Sequence, residues 1–133
     1  MPPEHKPVDH AVEWLNRAAS DLALAENRLE NVYLEDLCFH AQQAAEKAIK
    51  AVFISRGWRF PYVHDLAALT TALLQNGLNV PADVQNCVTL TEYAVEGRYP
   101  GFAEPVSDTE YVDAIAKAKV VLQWARSLAG DRK

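Results

Sequence analysis

One amphipathic helix constrains the fold of this chain more than any other feature. Residues 38–51 belong to a helical segment that we predict from about Leu34 to Arg56, before Gly57, a residue typical of helix C-termini. Small and apolar residues fill one side of this segment. The polar residues gathered on another side are Gln43, Glu46, Lys47 and Lys50. A helix about 30 Å long with such a small-residue side favours packing against other long helices.

The segment before this helix predicts its antiparallel partner. An apolar face recurs at three-to-four spacing from about Asp9, a suitable N-cap, to about Asn31. This face comprises Val12, Leu15, Ala19, Leu22, Ala23, Glu26 and Leu29, with one polar interruption. We predict a tight turn near Val32 and Tyr33 that joins the two helices into an αα-hairpin.

Three further helical segments follow, and no segment is convincing as a strand. The third helix is predicted to start near His64 and Asp65 and to end at residues 76–77, an Asn-Gly pair. Pro81 suits the first position of a fourth helix that runs to residue 97. Ser107 and Glu110 form a capping box for a fifth helix that ends at residue 130. The predicted fold is all-α, an up-down bundle of four to five helices.

Length and composition indicate one globular domain. With 133 residues, half of them hydrophobic, the chain can bury about two-thirds of its unfolded surface. We assign residues 9–130 to a single domain and residues 1–8 to a flexible lead-in. No apolar run approaches the roughly 20 residues needed to cross a bilayer. The N-terminus lacks the apolar core of a secretion signal, so a cytoplasmic location is expected.

Charge and cysteine content exclude some functions. The net charge of −5 argues against sequence-independent nucleic-acid binding through many phosphate contacts, although it allows a local basic patch. Cys38 and Cys87 are predicted to be reduced thiols in the core. No Cys or His lies at metal-ligand spacing from either, and we expect no cofactor.

Three motifs resemble the HEPN family, and they occur in the order that the family shows. They are Phe39-x-x-Gln42-Gln43-Ala44-x-Glu46-Lys47-x-x-Lys50-Ala51, then His64-Asp65-Leu66 at the start of a helix, then Arg98-Tyr99-Pro100. The resemblance implies a helical bundle that forms a homodimer and associates with nucleotides or RNA. It also implies a minimal nucleotidyltransferase as a possible partner, in a pair that behaves like a toxin–antitoxin system.

Each candidate site residue has a structural interpretation beside the functional one. Gln43, Glu46, Lys47 and Lys50 could form a solvated face with one Glu–Lys pair, or a polar cluster that faces a ligand phosphate or a partner helix. His64 could bond a loop carbonyl, or act as a titratable group in a pocket.

Asp65 suits the N-cap position of the third helix, where an acidic residue also complements the helix dipole. Arg98 could satisfy carbonyl groups at a helix end, or bind phosphate with its guanidinium group. Tyr99 could pack in the core, or stack on a base.

Ribonuclease members of the family carry an arginine followed four to six residues later by a histidine on a late helix. Here no histidine follows His64, so this motif is not present as a contiguous unit after Arg98. Arg59 and His64 match the spacing, but they lie in the loop before the third helix, and we interpret this match as coincidental. A discontinuous pair of Arg98 and His64 remains as the alternative.

The sequence therefore predicts a HEPN-type dimer that binds a nucleotide-related ligand, RNA or a partner nucleotidyltransferase. We expect Glu46, Lys47, His64 and Arg98 to converge at a shared cleft. The predicted ligand-binding set is Gln43, Glu46, Lys47, Lys50, His64, Arg98 and Tyr99. Two alternatives stay open: a metal-independent RNA endonuclease that uses Arg98 and His64, and a dimeric helical scaffold without a ligand site.

Overall fold

The architecture is described from a computed structural model, which covers residues 10–94 and 105–130. Within these ranges the chain forms five α-helices, one 3₁₀ helix and no strand, which confirms the predicted all-α bundle. The predicted N-cap Asp9 and the predicted site residues Arg98 and Tyr99 lie outside the described residues. No helix in the described ranges is both long enough and apolar enough to span a membrane.

Helices α1 (His10–Glu26) and α2 (Leu34–Ser55) pack against each other over most of their length. Alanines suit this packing, because a small methyl side chain lets two helices pack closely. The fully buried alanines of the pair are Ala18, Ala25, Ala41, Ala44, Ala45, Ala48 and Ala51. Helix α2 also packs against α3, the 3₁₀ helix and α5, so it is the central helix of the bundle.

Helix α1 is shorter than predicted, and its buried face is different. It ends at Glu26 rather than near Asn31, and residues 27–33 form a connection longer than the predicted tight turn. Beyond the end of the helix, the exposed side chain of Arg28 pairs with Asp108 at 2.9 Å. The buried residues of α1 are Ala11, Leu15, Ala18, Asp21, Leu22 and Ala25.

Two Schellman motifs end helices where the sequence predicts that they end. After α2, Gly57 adopts φ +71°, and the amide of Trp58 donates to the carbonyl of Phe53 at 2.9 Å. Helix α3 (Leu66–Gln75) ends in the same way at Gly77, with φ +86°. A positive φ is a conformation that glycine adopts without steric cost, so both stops are encoded locally.

The start of α3 is capped as predicted, but the fourth helix is mostly not α-helical. The Asp65 carboxylate accepts a hydrogen bond from the amide of Ala67 at 3.0 Å. Pro81 is the N-cap of α4 (Ala82–Gln85), which continues as the 3₁₀ helix Asn86–Tyr93. The predicted α-helix is therefore wrong over residues 86–93, and its predicted end at residue 97 lies outside the described residues.

Helix α5 (Asp108–Ala129) closes the bundle against α1 and α2. Its N-terminus has the predicted capping box, in which Ser107 and Glu110 exchange side-chain-to-backbone hydrogen bonds of 3.0 and 3.1 Å. The buried hydroxyl of Tyr111 donates to the carbonyl of Ala25 at 2.6 Å and ties α5 to α1. Burial raises the pKa of the Tyr111 phenol.

Candidate functional site

A buried carboxylate on α2 organises the polar residues near the start of α3. Glu46 is only 4% exposed, yet its two oxygens accept hydrogen bonds from three side chains. Gln42 Nε2 donates to Oε1 at 2.9 Å, and Lys50 Nζ donates to Oε2 at 2.8 Å. His64 Nδ1 lies 3.0 Å from both oxygens. We call Gln42, Glu46, Lys50 and His64 the Glu46 cluster.

The electrostatics of this cluster keep Glu46 ionised. Burial raises the pKa of its carboxyl group, but the hydrogen bonds from Lys50, Gln42 and His64 outweigh that effect and leave the pKa below its ordinary value. Lys50 is itself buried, with its ammonium 5.1 Å from the centre of the Phe60 ring. Its charge is therefore balanced by the carboxylate and by a cation–π contact.

His64 is the exposed member of the Glu46 cluster. Its side chain is 71% exposed, whereas that of Glu46 is 5% exposed. Because an ionised carboxylate can only accept hydrogen bonds, Nδ1 must carry the hydrogen of the His64–Glu46 bond. In the neutral imidazole, Nε2 is then an acceptor, and in the protonated form it becomes a second donor. The ring can therefore offer its Nε2 edge to a ligand while Glu46 fixes its orientation.

Gln42 is a structural member of the cluster that was not among the predicted site residues. Its side chain is completely buried, and Gln43 Nε2 donates to its Oε1 at 2.7 Å. With Oε1 used in this way, its Nε2 faces Glu46 and also the His64 carbonyl at 3.3 Å. Gln42 therefore holds both the carboxylate and the backbone of the loop. The position of Gln42 one helical turn before Glu46 could have indicated this contact from the sequence.

Lys47 does not join the Glu46 cluster. Its Nζ donates to Asp21 Oδ2 of α1 at 2.5 Å, and His40 Nδ1 lies 3.1 Å from the other Asp21 oxygen. Lys47 therefore pairs with α1 rather than with Glu46 or His64, because residues 46 and 47 project from α2 about 100° apart. Asp21, which is the one acidic residue among the buried residues of α1, was not identified from the sequence. An acidic residue within an otherwise apolar face could have indicated a buried ion pair.

The structure distinguishes between the two interpretations of the polar residues of α2, a solvated face or a polar cluster, for some of these residues. Glu46 and Lys50 are buried, so a fully solvated Gln43–Lys50 face is wrong for these two residues. The sequence could not show this because loop 56–65, which covers them, comes from outside the helix. Within residues 10–94 and 105–130, no group of three or more His, Cys, Asp or Glu side chains is arranged to hold a metal ion.

Fold and site together define a small all-helical bundle in which an internal carboxylate orients an exposed histidine. The family model for the HEPN domain matches residues 11–128, and the chain belongs to the HEPN family.

Two solved structures are similar to this chain over almost their whole length. The protein TT1696 from Thermus thermophilus is 29% identical, with a TM-score of 0.76 over 90% of this chain and 98% of the other. ST0689, an archaeal HEPN homologue, is 27% identical, with a TM-score of 0.71 over 89% of this chain and 96% of the other. No match was found among curated proteins.

Proposed function

We propose that this HEPN protein binds a nucleotide-related ligand or RNA at the exposed edge of His64, and that it acts as a homodimer in the cytoplasm. The observation that carries the proposal is the His64 ring, 71% exposed, with its Nδ1 held by the buried Glu46 carboxylate. A carboxylate that holds one ring nitrogen leaves the other nitrogen oriented for a ligand.

The chemistry of the Nε2 edge suits a nucleotide. In the protonated ring Nε2–H can donate to a phosphate oxygen, and in the neutral ring Nε2 can accept from a ribose hydroxyl. The proposed ligand-binding set is Gln43, Glu46, Lys47, Lys50, His64, Arg98 and Tyr99. Lys47, which pairs with Asp21, would have to leave that pair to reach a ligand at His64, and Arg98 and Tyr99 lie outside the described residues. Within this set, the buried Glu46 acts by orienting His64 and the buried Lys50 acts through Glu46, whereas Arg98 would supply the guanidinium for a phosphate.

A binding titration tests this function. We expect the protein to bind ATP or a short RNA oligomer in calorimetry, and we expect His64→Ala to abolish the heat. His10→Ala is the matched control, because His10 is also exposed and lies on α1. Equal binding by the His64→Ala variant, or no binding of any nucleotide or RNA by the wild type, would overturn the proposal.

Dimerisation and a partner nucleotidyltransferase are proposed from family membership. Light scattering at micromolar concentration tests the dimer, and a monomer mass would refute it. A minimal nucleotidyltransferase encoded beside this protein, and its co-elution with the pure protein, tests the partner. Co-elution should persist in His64→Ala if the partner binds elsewhere on the bundle.

One observation favours metal-independent RNA cleavage as the second candidate. The Glu46–His64 pair has the arrangement in which a carboxylate holds the tautomer of a general base. Cleavage of RNA in the presence of a chelator, lost in both His64→Ala and Arg98→Ala, would establish it. Intact RNA after prolonged incubation with the wild-type protein would remove it.

A further inference from the structure

The loop between α2 and α3 carries a chain of aromatic contacts that runs from the core to the surface. Phe53 is fully buried, and its ring lies 6.1 Å from that of Phe60. Phe60 in turn contacts Trp14 of α1 at 5.9 Å and Tyr62 at 6.0 Å, in edge-to-face geometry. Tyr62 stands at the outer end of this series of ring contacts.

Tyr62 is highly exposed, and its backbone lies in a hydrogen-bonded turn. It is 96% exposed, the highest exposure among the large hydrophobic side chains of the described residues. The amide of Val63 donates to the carbonyl of Pro61 at 2.9 Å, which closes a three-residue turn with Tyr62 at its apex. The pyrrolidine ring of Pro61 restricts the backbone just before it. The turn therefore presents the Tyr62 ring to solvent, where a planar partner could stack on it.

We propose that Tyr62 is a stacking platform for an unpaired base beside His64, so that the ligand of this site is a single-stranded nucleic acid. This inference rests on the proposed function. The two residues are two positions apart, with Cα atoms within about 7 Å of each other. A nucleotide whose base stacks on the Tyr62 ring is thus within reach of a contact between its ribose or phosphate and Nε2 of His64.

The loop that carries Tyr62 also carries exposed basic side chains that suit a phosphate-bearing ligand. Arg56 and Arg59 are exposed at either side of Gly57 and add positive charge to the loop of an otherwise acidic protein. With a net charge of −5, affinity has to come from stacking and a few local contacts rather than from many phosphates. Duplexes do not expose base faces, so the platform selects single strands.

Fluorescence anisotropy with two labelled probes tests the platform. One probe is a short adenosine RNA oligomer, and the other has the same backbone with abasic positions. Tyr62→Ala should weaken binding of the adenosine oligomer about tenfold and leave binding of the abasic oligomer unchanged. Tyr62→Phe, which keeps the ring, should bind within about twofold of the wild type.

The matched control is Tyr33→Ala, an exposed tyrosine, 74% accessible, that precedes α2. It lies about 20 Å along the helix from Glu46 and should bind both probes as the wild type does. The same adenosine sequence as a DNA strand tests whether the ribose hydroxyl contributes, and equal affinity for both strands supports stacking as the main contact.

The outcomes separate this inference from the proposed function. If His64→Ala loses both probes and Tyr62→Ala loses neither, the platform is refuted and the His64 site stands. If Tyr62→Ala weakens both probes equally, or converts a dimer to a monomer, the ring is a structural or subunit contact and the platform is refuted. If the wild type binds neither probe nor ATP, both proposals fail.

Discussion

Glu46→Gln is the substitution that most directly tests how the bundle is held together. The two side chains have almost the same shape, so the change removes a charge and leaves the packing intact. Four hydrogen-bond distances of 2.8 to 3.0 Å converge on the Glu46 oxygens, and every partner atom is a donor. The amide nitrogen of a glutamine would have to face one of these donors.

The expected loss follows from the burial of the ion pair. Lys50 and Glu46 side chains are 9% and 5% exposed, so the substitution leaves an ammonium group buried without its counter-charge. Removing one partner of such a pair costs about 3 kcal/mol in free energy of unfolding. With a urea m-value of about 2 kcal/mol per molar, the unfolding midpoint falls by about 1.5 M.

Urea unfolding followed by circular dichroism, at one fixed protein concentration, measures this loss. Glu13→Gln is the matched control because Glu13 also pairs with a basic residue four positions later, Arg17, at 3.0 Å. That pair is 46% and 66% exposed, and its loss should cost at most about 0.5 kcal/mol. Adding Lys50→Met to Glu46→Gln should restore part of the stability, because the unpaired charge is removed.

The reasoning would be refuted if Glu46→Gln were no more destabilising than Glu13→Gln. It would also be refuted if Lys50→Met made the Glu46→Gln variant less stable, since the buried ammonium would then not be the source of the loss.

Three further predictions concern titration, capping and thiol reactivity. The folded-state pKa of Glu46 is lowered, so its contribution to the free energy of unfolding is complete above the ordinary value of 4.5 and is lost as pH falls below it. The difference in unfolding free energy between wild type and Glu46→Gln should therefore shrink below pH 4.5. A difference that grows in that range would contradict the lowered pKa. Ser107→Ala should lower the free energy of unfolding in urea by about 1 kcal/mol because the α5 capping box is lost, and an unchanged midpoint would show that the cap contributes nothing. Burial raises the pKa of the Cys87 thiol to about 12, and both cysteines are completely buried, so neither should react with a thiol reagent at pH 8 until urea is added; rapid labelling of the native protein would contradict this burial.

Helix ends were predictable wherever a local hydrogen bond or a backbone angle decides them. Gly57 and the Ser107–Glu110 box lie where the sequence predicts, because each depends on atoms a few residues away. The end of α1 was not predicted: the helix stops at Glu26, and Arg28 beyond it pairs with Asp108, eighty positions later. Likewise the 3₁₀ stretch is tied at Thr91 to the amide of Leu66, a contact that no local pattern reveals.

The candidate site likewise contains some contacts that the sequence indicated and others that only the tertiary structure shows. The three family motifs pointed to Glu46 and His64 in the sequence, and the structure brings these two residues into contact. The separation of Lys47 from them was not predictable, because it depends on which neighbour each side of α2 meets. Lys47 pairs with Asp21 on the side of α2 that faces α1, whereas the loop before α3 covers Glu46 and Lys50 on another side of α2.

By itself, then, the amino-acid order determined a helical fold of the HEPN family, the glycine stops after α2 and α3, the caps of α3 and α5, and the set of residues able to carry chemistry. Those properties follow from periodicity, glycine conformation and short-range hydrogen bonds. Only the tertiary structure decided that Glu46 is buried among donors and that His64 is the exposed residue it orients. The burial and pairing of a side chain depend on elements that are distant in sequence. The hydrophobic periodicity of a helix shows which residues share a face, but not which element packs against that face.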